Sequence, residues 1–209
     1  MLELWQAVGF LAAAMLVTLS PGPDNLMILS LGVSRGRRQG MAFGLGCALG
    51  CLSHTTLAAL GIGAVIAASP WAFVALKVAG GLYLVWLGLQ AIRSRGGVTV
   101  PGQGAGGGES LWSLFVKGLI ANAINPKVVL FFLAFLPQFV APAAENPAWQ
   151  TAQLGVLFTA QAVVLFGLIG WFSGWVGQGL NRTPAIAAWL DRVAGGIFIA
   201  LGVKLIASP

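Results

Sequence analysis

The chain has 209 residues, of which 58% are hydrophobic and only 8% charged, against about 25% charged in an ordinary soluble domain. That leaves too little polar surface for a water-soluble enzyme, and apolar runs that are continuous rather than alternating at period two argue against a membrane barrel. The net charge of +6 is no nucleic-acid footprint, because the basic residues are few and sit at the ends of apolar runs, where Lys and Arg set membrane orientation.

About 20 apolar residues cross a bilayer as a helix, and six such spans fit the chain, at 4–30, 41–68, 71–92, 112–139, 150–177 and 185–206. The first basic residue is Arg35, so the apolar start lacks the positive flank of a cleavable signal peptide and is retained as a span. The first connection carries Arg35, Arg37 and Arg38, and the second is little more than Ser69-Pro70. The third, Gly-rich, starts with Arg93 and Arg95; the fourth carries only Glu145; the fifth carries Arg182. Basic residues therefore fall in the odd connections and are missing from the even ones. Short basic loops stay in the cytoplasm, which puts both termini on the periplasmic or outer side.

Span three reads KVAGGLYLVWLG from Lys77 and span six reads RVAGGIFIALG from Arg192, which align with one gap. Spans one and four are each interrupted, by SPGPDN (Ser20 to Asn25) and by NAINPK (Asn122 to Lys127). The repeat unit is three helices, an odd number, so the two copies insert with opposite orientation. The expected fold is an all-α polytopic membrane protein: six transmembrane helices as two inverted three-helix repeats, with helices one and four broken. It forms one transmembrane domain, with repeat one at 1–95, a flexible cytoplasmic linker at 96–110 and repeat two at 111–209. Inverted repeats with broken helices in matching positions are the sequence pointer to a secondary transporter.

The polar residues of the spans gather at the two breaks. Pro21-Gly22-Pro23 removes two backbone donors, so a continuous helix cannot pass through it, and the freed groups need partners or a wet cavity. Asp24 and Asn25 follow at once. A mid-span Asp costs roughly 2.5–3.5 kcal/mol on insertion scales, so Asp24 marks a polar pathway, caps the second half of the span, or does both. Asn125-Pro126-Lys127 makes the second break, with Asn122 one turn earlier. Lys127 precedes a long apolar run and is expected to need an anion at that depth. Aligning Pro23 with Pro126 sets Asp24 against Lys127. Two readings stand: a bridge that opens to grip a zwitterion, Lys127 on its carboxylate and Asp24 on its ammonium, or a static bridge between the halves. His54, the single histidine, is either a proton-relay residue or a neutral hydrogen-bond partner between helices. Gln161 in span five sits in a comparable setting. Cys47 and Cys51, four apart on one helix face, read as small core residues. Lys77 and Arg192 are expected to snorkel to opposite interfaces.

On LSPGPDNL in span one, GLIANAINPKVVLFFLAFLPQFV in span four and K-V-A-G-G-L-Y-L-x-x-L-G in span three, the chain resembles the lysine exporter (LysE/RhtB) family over nearly its whole length. The resemblance implies a carrier of the bacterial inner membrane, not an enzyme, that exports amino acids or close derivatives by proton antiport. It carries Pro21, Gly22, Pro23, Asn122, Asn125, Pro126 and Lys127 over as substrate-site residues. Asp24 and Asn25 join them on the reading above, with Asp24 and His54 as the proton-coupling candidates. The expected partners are an amino acid, protons and the lipid bilayer, with no nucleic acid, cofactor or metal; a homo-oligomer is compatible with the sequence. A carrier of another small solute or cation on the same fold is the alternative, although a divalent-cation carrier needs more oxygen ligands than these spans supply. A thiol-reducing electron carrier would have cysteine before the prolines of spans one and four, where this chain has Ser20 and Asn125.

The orientation is testable. Gly106→Cys should be shielded from impermeant thiol reagents in intact cells, and Ala144→Cys should react; labelling at position 106 from outside would reverse the topology.

Overall fold

The structure is a computed structural model that describes residues 2–20, 22–93, 109–141, 144–175 and 184–207. Pro21, Gly106, Arg95, Arg182 and linker residues 96–108 lie outside the described residues. The described residues form helices and their connections, with no strand among them. We number the helices α1 (Leu4–Leu19), α2 (Pro23–Arg35), α3 (Arg37–Ala68), α4 (Pro70–Arg93), α5 (Leu111–Ala123), α6 (Pro126–Phe139), α7 (Pro147–Trp171) and α8 (Pro184–Ala207).

The helix starts follow from local chemistry. Proline opens α2, α4, α6, α7 and α8, where its missing N–H costs nothing and its fixed φ suits the first turn. Side-chain oxygens of Ser110, Asn125 and Asn146 cap α5, α6 and α7 by accepting from the N–H groups of Ser113, Lys127 and Trp149. Between α2 and α3 stands Gly36 at φ 108°, a conformation open to glycine and costly for other residues. Within α6 the regular ladder lasts only to Leu130; a π-helical turn spans Phe131–Phe135 and a 3-10 turn Leu136–Phe139. Pro137 lacks an N–H and crowds the preceding turn, so the α pattern cannot continue through it.

Both expected breaks are present. The axes of α1 and α2 meet at 55° and those of α5 and α6 at 49°. Among the described residues, α3 (over Arg37–Gly61) and α7 are each long and apolar enough to cross a membrane, and the two bent pairs qualify as single spans, up to four in all.

The surface is inverted relative to that of a soluble protein. Trp5, Trp71, Trp112, Trp149 and Trp189 are exposed near helix starts, as in the aromatic belts of membrane proteins. Asp24, His54, Asn122, Asn125 and Lys127 are instead buried. Lys77 is also buried, whereas Arg192 is exposed, so the two do not share one setting.

Glycine sets the closest helix approaches. A Cβ at Gly88 would lie 2.5 Å from the Gly195 carbonyl oxygen, and one at Gly202 would lie 2.5 Å from that of Gly81. The register 88–195 and 81–202 makes α4 and α8 antiparallel. Contacts of Gly170 with Met41 and of Gly155 with Thr55 make α3 and α7 antiparallel, and Gly118 with Phe43 and Gly50 with Asn122 make α3 and α5 parallel. On the side of the breaks away from Gly36, Phe10, Phe131, Phe132 and Phe158 interlock in the interior with ring centroids 5.0–6.5 Å apart, joining α1, α6 and α7. At the Gly36 end, Glu109 pairs with Arg35 at 3.0 Å, with Lys117, and with the Ser113 hydroxyl. These partners push its carboxyl down to about 2, so it stays ionised across the physiological range.

A test of the packing follows. A Cβ at Gly46 would run into the Phe115 carbonyl, which is backbone and cannot yield, whereas one at Gly61 meets nothing within 4 Å. Gly46→Ala should cost about 1–3 kcal/mol by overpacking. Gly61→Ala should be neutral or gain up to about 1 kcal/mol from helix propensity. Thermal melts of the two detergent-solubilised variants check the contrast.

Candidate functional site at the two helix breaks

The broken helices bring their polar residues to one buried place, with Asn122 as the hub. Asn122 is fully buried at the end of α5. Its Nδ2 donates to Asp24 Oδ2 at 2.8 Å, its Oδ1 accepts from Cys51 Sγ at 3.5 Å, and its backbone oxygen accepts from the Asn125 N–H at 2.9 Å. His54 Nε2 lies 3.0 Å from the same backbone oxygen. A carbonyl only accepts, so Nε2 carries the proton of the neutral ring and Nδ1 is the free base. His54 also borders a cavity of about 60 Å³ lined by Leu57, Ala123, Val129, Phe132 and Leu133.

The first break is organised around the end of α1. Asn25 Nδ2 donates to the Thr18 carbonyl and Gln161 Nε2 donates to the Thr18 hydroxyl, both at 2.8 Å. Lys127 Nζ donates to the backbone oxygens of Val17, at 3.2 Å, and Ser20, at 3.1 Å. Lys127 was expected to need an anion. Its partners are carbonyl oxygens at the C-terminal end of α1, where the helix dipole supplies partial negative charge.

Asp24 does not act as a helix cap. The cap position of α2 is Gly22, and Asp24 lies in the first turn, a position that favours a negative charge. Nor do Asp24 and Lys127 form a direct ion pair; the ion pairs among the described residues are those of Glu109. The two buried charges lie close enough to interact through space, yet each is held by neutral partners. Three amide atoms nearby, Asn25 Oδ1, Asn125 Nδ2 and Gln161 Oε1, are buried without a hydrogen-bond partner.

The site thus contains Gly22, Pro23, Asp24, Asn25, His54, Asn122, Asn125, Pro126 and Lys127; Pro21 lies outside the described residues. Sequence reasoning missed Thr18 and the carbonyls of Val17 and Ser20 that accept from Lys127. A hydroxyl residue two positions before the SPGP break was the available signal for Thr18. Cys47 and Cys51 are buried free thiols. No group of His, Cys, Asp and Glu suited to a metal occurs among the described residues.

A helical membrane protein with two opposed helix breaks enclosing an acid, a base and four amides has the make-up of a carrier for a small polar solute. The chain matches the LysE type translocator family over residues 15–208 and belongs to that family. It is 32% identical to an uncharacterised membrane protein of Vibrio cholerae, over 98% of this chain and 97% of that one. It is 31% identical to the threonine efflux protein of Escherichia coli K12, over 95% of this chain and 98% of that one. It is 29% identical to a homoserine/homoserine lactone efflux protein of Salmonella typhimurium, over 97% and 96%. No solved structure gives a significant match.

The hub is testable by truncation. Asn122→Ala leaves Asp24 buried without its donor and should cost about 1–3 kcal/mol. Gln161→Ala removes one neutral hydrogen bond and should cost about 0.5–1.5 kcal/mol. Equal melting temperatures for the two variants would remove Asn122 from its central place.

Proposed function

We propose that the protein is a secondary carrier of the inner membrane that exports amino acids or close derivatives in exchange for protons. Its six spans are α1–α2, α3, α4, α5–α6, α7 and α8, arranged as two inverted three-helix repeats, 1–95 and 111–209, around the linker 96–110. Both termini face the periplasm. Family membership supports the carrier, and relatives named for threonine and homoserine efflux support the substrate class. The helix directions support the inverted repeat, because opposite insertion requires spans two and five, and three and six, to run antiparallel and spans two and four to run parallel.

One observation carries the reading of the site: Asp24 and Lys127 are buried near each other and are not joined. Each is available to one end of a zwitterion, Lys127 to the carboxylate and Asp24 to the ammonium. Asn25, Asn122 and Asn125 supply neutral hydrogen bonds around them, and the breaks at Pro21-Gly22-Pro23 and Pro126 open the backbone for the substrate. His54, joined to Asp24 through Asn122, and Asp24 itself are the groups that exchange the coupled proton.

The test is transport in proteoliposomes with a panel of amino acids, threonine and homoserine first, under an imposed proton gradient. The parent protein should exchange substrate for substrate and drive it uphill; failure to move any amino acid of the panel would overturn the reading. His54→Gln should keep exchange, which needs no net proton movement, and lose uphill export. Uphill export by His54→Gln at the parent rate would assign the proton to Asp24 instead.

A further inference from the structure

The end of α1 is built to hold an ammonium group. The last carbonyls of a helix have no intrahelical partner, and three at the end of α1 are met by side chains from beyond it. Leu16 O accepts from the Ser20 N–H, and Thr18 O accepts from Asn25 Nδ2. Val17 O and Ser20 O remain, and both accept from the ammonium of Lys127. That side chain reaches across from α6, so one group ties the end of α1 to the start of α6.

Gly22 shows that the space is shaped for this group. Its φ of −170° and ψ of 175° describe extended backbone that any residue adopts, so conformation alone does not require glycine there. A Cβ at Gly22, however, would stand 2.7 Å from Lys127 Nζ and 3.3 Å from its Cε. The absent side chain is what lets an ammonium sit against the break.

The geometry points to the Val17 and Ser20 carbonyls as the hydrogen-bonding seat of the substrate's α-ammonium, near Asp24, which supplies its counter-charge, with Lys127 holding that seat as a tethered stand-in while the carrier is empty. The inference rests on the reading of Lys127 as a substrate-binding residue. Loading then exchanges one ammonium for another. The incoming ammonium takes the two carbonyls, Lys127 turns to the incoming carboxylate, and the tie between α1 and α6 is released. The charge of the site is the same before and after, because the ligand is a zwitterion. Neutral carbonyls hold an ammonium less tightly than a carboxylate does, so the move of Lys127 onto a carboxylate is downhill. A bare amine would set two ammonium groups at one seat. A bare acid would draw Lys127 away and put no ammonium in its place. The seat therefore selects molecules that carry both groups.

Methylammonium is the probe, read by the melting temperature of the purified full-length protein in detergent. It should not stabilise the parent, whose seat is occupied. It should stabilise Lys127→Met saturably, at a roughly tenfold or lower half-saturating concentration than any effect on the parent, and tetramethylammonium, which has no N–H, should not. Adding Gly22→Ala to Lys127→Met should abolish the effect, because the new methyl group intrudes on the seat. Absence of stabilisation in folded Lys127→Met, or its persistence in the double variant, would overturn the inference. A second measurement needs no variant. Threonine should stabilise the parent, whereas threonine methyl ester and the corresponding hydroxy acid should not, and equal stabilisation by the ester would also overturn it. Failure of the export reading shows elsewhere, as a parent protein that exchanges no amino acid in proteoliposomes.

Discussion

Backbone polar groups that a broken helix frees inside an apolar interior have no water to turn to, and this one constraint arranges the centre of the protein. Each unmet group there would cost several kcal/mol. The interior polar side chains answer it nearly one for one. Asn25 serves the Thr18 carbonyl, Lys127 serves those of Val17 and Ser20, His54 serves that of Asn122, and the Asn125 side chain serves the N–H of Lys127. The residues that make the centre polar are therefore the residues that make the breaks tolerable.

The same constraint ties the two halves of the chain together. His54, midway along α3, reaches the end of α5; Gln161, midway along α7, reaches the end of α1. Each long helix thus supports the broken helix of the other half. Lys127 on α6 reaches back to α1, and Asp24 on α2 is held from α5. No break is satisfied from its own half alone, so neither half can move far without exposing backbone groups that the other must cover.

Much of this was legible in the sequence, for a physical reason. Proline and glycine punctuate helices by sterics that are local, so the breaks at Pro21-Gly22-Pro23 and Asn125-Pro126 and the helix starts at Pro70, Pro147 and Pro184 could be read within a few residues. Asp24, His54, Asn122 and Lys127 stood out because polar groups inside apolar runs are expensive. What could not be read was the choice of partner. The expected bridge between Asp24 and Lys127 assumed that opposite charges meet, whereas each found closer hydrogen-bonding groups at a helix end. Those groups were backbone carbonyls, which every residue carries, and the Asn122 amide, which the sequence singles out but does not assign to Asp24. The space at Gly22 was likewise invisible, because it depends on where a lysine a hundred positions away comes to rest.

The contacts that close the two ends of the bundle differ in kind from those at its centre. At the Gly36 end, Arg35 and Lys117 hold Glu109 through charges that face water, where ion pairs are weakened by solvent and salt. At the other end, Gln6 Nε2 donates to the Phe139 carbonyl at 3.2 Å, and Phe10 meets Phe139 edge-on. With the Ala141 N–H donating to Gln150 Oε1 at 3.0 Å, a few neutral hydrogen bonds and an aromatic edge are again modest interactions. The central hydrogen bonds are buried, numerous and mutually dependent. The bundle is thus held more firmly at its middle than at its two ends. The exception at the centre is Lys127, the one buried tie between α1 and α6 whose partners a zwitterion could replace atom for atom. On the proposed carrier reading, a zwitterion that takes those partners releases that tie.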